Sequence, residues 1–274
     1  MKSRFDLPSS LLGILAGSIA VALWLRGASM EIAIGTTVAT LVYLIAIRLT
    51  RPEGRGRMLV HYVTVFGLYG GSTSLVDALR LPSHEGTLLR LDRLWFGETP
   101  SVALSGFFSP MMNDLWSGLY LGYHVYLHVA LIDALLRSGR WRRRYGRVVF
   151  SVFAIGLAGY FLFPARGPEV AFPELFASPL HGGALTRLNT EIVARLASRY
   201  DAFPSLHVLV TAALLACDWR WCRTRFRIML LPGLGLMFAT LPLRLHFAVD
   251  LLAGALLLGP ALWLPLPKES DDAA

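Results

Sequence analysis

The chain has 274 residues, 55% of them hydrophobic and 16% charged, with a formal net charge of +8 and a mean hydropathy of +0.54. A soluble domain is about 25% charged, so this composition excludes a water-coated particle, and no polar stretch is long enough to fold as a separate domain. The basic balance does not point to nucleic acid, because the arginines sit between apolar runs without the aromatic or motif context of a nucleic-acid face.

Apolar runs lie at 9–25, 31–49, 58–80, 112–136, 147–164, 206–219, 226–243 and 246–265. Most match the ~20 residues that cross a bilayer. They predict an all-α polytopic membrane bundle of about eight transmembrane helices. Lys2 and Arg4 before the first run resemble the start of a signal peptide, but the run is long and a second follows at once, so a retained helix is expected. The 206–219 run is short and is expected to start earlier or to be shielded by its neighbours.

Arginine placement orients the ladder. Arg48, Arg51, Arg55 and Arg57 fall in connection 48–57; Arg137, Arg140, Arg142, Arg143, Arg144 and Arg147 in 137–147; Arg220, Arg223, Arg225 and Arg227 in 220–227. These connections alternate along the chain, and Lys2, Arg4 and Lys268 share their side. Positive residues mark the cytoplasmic side. Both termini are therefore expected in the cytoplasm, and the short arginine-rich loops suggest a bacterial inner membrane. The opposite side carries 26–30, 81–111, 165–205 and a short turn at 244–245. Segment 81–111 is partly amphipathic and suits the membrane interface, and 165–205 contains a short helix around 185–199. Cys217 and Cys222 make no disulfide framework and read as reduced, structural residues.

Three patches meet at the outer level: Pro164 to Pro168, Phe203 to His207, and Arg244 to Asp250. His207 and His246 are 39 residues apart, the length of one helix down, a short turn and one helix up. His246 and Asp250, spaced i, i+4, are expected on one helix face, where a carboxylate can hold the imidazole in one tautomer. His207 lies in the first turn of a helix, with Pro204 near its first position. Free N–H groups at such a start favour an anion. Arg166 and Arg244 supply guanidinium forks for phosphate oxygens. Together with Ser205 these residues predict phosphoryl transfer that calls for no metal and no cofactor. His246 would be the nucleophile, Asp250 its orienting partner and His207 the general acid and base. Arg166, Ser205 and Arg244 would bind phosphate.

At these residues the chain resembles the type-2 phosphatidic acid phosphatase superfamily, whose six-helix core carries a basic motif ending in Arg-Pro, a Pro-Ser-x-His motif and a Ser-Arg-x5-His-x3-Asp motif. Pro204-Ser205-Leu206-His207 matches the second, and His246-x3-Asp250 ends the third. The resemblance implies His246 as nucleophile, Asp250 as its partner and His207 as acid. Ala239 and Thr240 replace the Ser-Arg opening, and Gly159 stands where the first motif has lysine. Arg166 is the candidate for the first motif's arginine, and Arg244 for the missing third-motif arginine. Leu91 to Pro100, with the Pro-rich turn after the fifth helix, looks like the inositol phosphorylceramide synthase-like branch, whose fungal enzymes move a phosphoinositol headgroup between lipids. The resemblance covers roughly 58–265. It implies two additional N-terminal helices at 1–57, a six-helix core at 58–265 and a cytoplasmic tail at 266–274.

The expected function is a metal-independent lipid phosphatase or phospho-headgroup transferase at the extracytoplasmic face. Its substrate would be a lipid phosphate or phospholipid, its acceptor water or a lipid alcohol, and no nucleic acid is involved. A proton-coupled transporter would instead space polar groups down several helices, and an inactive scaffold would keep the fold alone. Ser205 lacks the Gly-x-Ser-x-Gly elbow of a serine hydrolase. His124 and His128 have metal-ligand spacing but only two evident ligands, and read as a polar patch inside the bundle beside Tyr120, Tyr123 and Tyr126.

Overall fold

The computed structural model describes residues 6–263, and all its regular structure within them is helical. In chain order the helices are α1 (Leu7–Leu25), α2 (Met30–Leu49), α3 (Arg55–Ala78), α4 (Glu85–Phe96), α5 (Pro100–Ala103), α6 (Pro110–Leu136), α7 (Gly139–Leu162), α8 (Pro168–Ala171), α9 (Ala184–Leu196), α10 (Leu206–Trp221), α11 (Arg223–Ala239) and α12 (Ala248–Trp263), with a 3-10 turn at Pro173–Leu175. Lys2, Arg4, Lys268 and the 266–274 tail lie outside the described residues.

Each of the eight apolar runs contains one long helix. Four of these, α1, α2, α6 and α7, are long and apolar enough to cross a membrane on length and composition. α3 has 24 residues but includes Arg55, Arg57, His61 and Asp77. α10, α11 and α12 have only 16, 17 and 16 residues. The short 206–219 run does not start earlier, because Ser205 caps α10 by accepting the Val208 N–H at 3.4 Å. It is shielded instead. α10 buries Leu209, Ala213 and Leu214 completely and packs against α6, α7, α11 and α12. A helix enclosed in this way faces neighbours rather than lipid, so it need not match the full hydrocarbon thickness.

The other starts are equally local. Asp6 caps α1 through the Ser9 N–H, and Ser109 caps α6 through the Met112 N–H. Such caps occupy donors left free by the helix geometry. On α2, Val38, Leu41, Val42 and Ile45 point outward and are more than half exposed. An apolar exterior over a polar-capped bundle is what hydrocarbon surroundings require. The apolar helices thus mark a membrane protein.

The arginine-rich connections gather at one end. Arg142 donates to the Glu53 carbonyl at 3.0 Å, joining the first to the second. Arg225 donates to Tyr145 Oη at 3.3 Å, joining the second to the third, and pairs with Asp133 at 2.7 Å and with the buried Asp218 at 2.6 Å. The connection between α11 and α12 differs from expectation. It is not a two-residue turn but a folded loop over 240–247. Pro242 restrains the residue before it away from helix. The loop then closes on Thr240, whose carbonyl accepts from Leu245 and His246 at 3.0 and 3.3 Å, with Arg244 at φ 63°.

Candidate functional site

Two helix starts build the site. α12 begins at Ala248 because carboxylates satisfy its first donors. Asp250 reaches back to the Phe247 N–H at 2.9 Å, half of a capping box. Asp92, wholly buried on α4, accepts from Ala248 at 3.1 Å and Val249 at 2.9 Å. His246 therefore sits in the loop ahead of the helix, not on a helix face with Asp250 as the i, i+4 spacing suggests. At the second start, Pro204 precedes the Ser205 cap and so stands outside the first helical turn. The Ser205 N–H donates to the Asp250 carbonyl at 3.1 Å, locking the α10 start onto α12.

These constraints bring the histidines together. His246 Nε2 lies 3.2 Å from His207 Nδ1 and 3.3 Å from Ser205 Oγ. Its Nδ1 faces Asp250 Oδ2 at 3.5 Å. His246 is 2% exposed, and Ser205 and Asp250 are fully buried. The rings of Tyr120 and Tyr123 flank His207 with centroids 4.7 and 4.9 Å away. The same two rings also meet His124 edge-on, with centroids 6.5 and 5.3 Å away, while Tyr126 donates to Asp218 at 2.8 Å. His128 bonds Tyr62 Oη at 2.9 Å and the His124 carbonyl at 2.7 Å, and His124 faces outward.

A cavity of about 340 Å³ opens over the pair, lined among others by His207, His246, Arg244, Glu169, Asp201 and Arg199. Arg244 is 2% exposed. Its Nη1 donates to Glu169 at 2.9 Å and to the Ser178 carbonyl at 2.8 Å, and its buried Nε has no partner. Arg166 is placed differently. It forms a fork on Glu85 and is not among the cavity-lining residues. Burial of Glu85 works against its charged form, but Arg166 outweighs it and holds the carboxyl below its usual range. Asp201 accepts from Tyr69 Oη at 2.7 Å, and burial raises its carboxyl above its usual range.

Glu85, Asp92, Glu169, Arg199 and Asp201 escaped the sequence reading. The available signal was acidic residues inside the two long outer loops, near Arg166 and His207. The departure at Gly159 has a structural cause. A Cβ there would stand 2.1 Å from Pro204 Cδ, so no lysine fits where α7 passes the α10 start.

The sequence model of the PAP2 superfamily matches residues 86–264, well over half of the chain. The chain belongs to the PAP2 superfamily. Members of the PAP2 superfamily are generally phosphatases, which gives this protein a phosphatase-type function on a phosphate-ester lipid at a membrane. No curated protein and no solved structure matches the chain. The PAP2 match begins inside α4, so α1, α2 and α3 lie outside it. Both histidines, Asp250, both candidate arginines and Ser205 lie within it.

Proposed function

We propose that this PAP2 protein transfers a phosphoryl or phospho-headgroup from a lipid through a phosphohistidine on His246. The observation that carries the reading is the position of His246, between a carboxylate on Nδ1 and His207 with Ser205 on Nε2, at a cavity that also holds Arg244. A proton kept on Nδ1 beside Asp250 leaves the lone pair on Nε2. Nε2 attacks phosphorus, and the bond from phosphorus to the leaving lipid oxygen breaks. His207 gives that oxygen its proton. Water or a lipid alcohol then enters, gives its proton to His207, and takes the phosphoryl group from Nε2. Arg244 and the α10 start balance charge on the non-reacting oxygens. Side chains and backbone fill every role in this step, and none is assigned to a metal.

The same reading puts the cavity on the extracytoplasmic side, since the arginine-rich connections mark the other end as cytoplasmic. All eight long helices would then traverse the bilayer, and α3 to α12 would form the catalytic body with α1 and α2 added. α3 belongs to that body because its Tyr69 bonds Asp201 and its Thr73 lines the cavity. Exposed Leu94, Trp95 and Phe96 on α4 suit an interfacial position. The finer placement is the inositol phosphorylceramide synthase-like branch, supported by the Leu91 to Pro100 stretch.

The test is diacylglycerol release from a panel of phospholipids by the purified protein in EDTA, beside His246→Ala. Release in EDTA that the variant abolishes supports the reading. Equal release by both proteins removes His246 from the role of nucleophile.

A further inference from the structure

α3 and α6 both pack on α7 but not on each other. What joins them is a pair of side-chain contacts to His128. Tyr62 Oη lies 2.9 Å from its Nε2, and the Phe66 ring centre is 5.7 Å from its own. From this bridge toward the cavity, the space between the two helices is open. Gly70 follows Phe66 by one turn on the same face. It is exposed, and a Cβ there would meet nothing within 4 Å. Thr73, the next residue on that face, lines the cavity, as does Tyr120 on α6. The cavity over the histidines thus has a side mouth between Thr73 and Tyr120, which runs past Gly70 to the Tyr62–His128 bridge.

His124 belongs to this mouth. On α6 it lies one turn from Tyr120 and one turn from His128, and it is exposed at mid-helix. Its ring meets Tyr120 and Tyr123 edge-on, contacts a phenylalanine would make equally well. Neither ring nitrogen has a hydrogen-bond partner among the described residues. An ionisable side chain turned toward hydrocarbon without a partner is costly. Val125 and Val129, exposed on the same helix, are the apolar kind that such a position calls for.

We propose that the mouth between α3 and α6 is where the body of the lipid substrate docks, and that His124 holds the carbonyl that links its acyl chain. The levels agree. Tyr120 flanks His207 and marks the depth of the phosphorus. His124 is four residues further from the outer surface along α6, about 6 Å. In a phospholipid the ester or amide carbonyl stands a few bonds from phosphorus, a comparable reach. A His124 N–H donates to that carbonyl, and the tails pass over Val125 and Val129 into the bilayer. This rests on the phosphotransfer reading of the cavity and adds how the same site takes hold of a lipid.

The experiment measures kcat/KM of the full-length protein in mixed micelles on three probes: diacyl phosphatidic acid, its dialkyl-ether analogue, which lacks the carbonyl, and water-soluble nitrophenyl phosphate. Gly70→Trp places an indole in open space and should lower the ratio of lipid to nitrophenyl phosphate turnover by about tenfold. Wild type should favour the diacyl over the ether lipid by about fivefold, the worth of one hydrogen bond. His124→Phe should erase that preference through KM, and His124→Gln, which keeps a donor, should retain part of it. Thermal unfolding in detergent identifies any variant that fails to fold. A lipid to nitrophenyl phosphate ratio unchanged in Gly70→Trp, or a diacyl preference unchanged in His124→Phe, with turnover still dependent on His246, overturns the proposal and leaves phosphotransfer standing. No turnover of any probe by wild type overturns both.

Discussion

Nδ1 of His207 lies 3.2 Å from Nε2 of His246, so the two imidazoles address each other across the floor of the cavity. One ring can therefore pass a proton while the other holds phosphorus. His207→Ala should lower kcat by about 10²–10⁴-fold, the usual worth of a general acid. A substrate with a good leaving group needs no protonation, so a nitrophenyl phosphoester should recover most of the loss. Steady-state kinetics on the two substrates makes the comparison.

Asp92 belongs to α4 yet receives two N–H groups at the start of α12, 156 and 157 residues away in sequence. It fixes where α12 begins and so where His246 stands. Asp92→Ala should destabilise the protein by about 0.5–2 kcal/mol, the cost of losing a helix cap. Activity should fall further than stability accounts for, because the loop carrying His246 is released. Thermal unfolding and turnover measured on the same detergent preparation separate the two effects.

The Glu85–Arg166 pair ties α4 to the loop after α7. Its folded carboxyl sits below the ordinary range of about 4.3, with burial opposing and Arg166 prevailing. A group lowered on folding contributes stability that is present above its unfolded pKa and is lost as pH falls through its folded value. Wild type should therefore exceed Glu85→Gln in stability at neutral pH. The gap should close on acidification below the usual glutamate range. Unfolding curves across that window test it, and a gap that widens toward acid would contradict the pairing.

Gly159 passes against Pro204, where an added methyl meets the ring at 2.1 Å. Gly159→Ala should destabilise by about 1–3 kcal/mol, as overpacking does. It should also disturb the Ser205 cap directly behind Pro204. A drop in unfolding temperature with reduced turnover is the expected result.

How far the sequence reached can be judged from particular residues. His207 and His246 were legible as neighbours because helix length alone returns them to one level. Asp250 was legible as a partner, but its route was not. The apolar Leu241-Pro242-Leu243 reads as more helix, and only the Asp92 and Asp250 caps set the true start of α12. Arg166 carries the same charge as Arg244, and nothing local distinguishes them. Glu85, 81 residues upstream, engages Arg166, which is absent from the cavity lining. Glu169 and Asp201 look like ordinary loop acids until the loops fold over the histidines. Helix ladders follow from local composition. Charge pairing between distant loops does not.

The most direct test of the account is to quench the enzyme during turnover and locate the covalent group by mass spectrometry of its peptides under conditions that preserve phosphoramidates. The account predicts a phosphoryl or phospho-headgroup adduct on the peptide containing His246, formed as fast as turnover and absent from His246→Ala. Turnover with no adduct at His246, or with the adduct on Ser205, would contradict it.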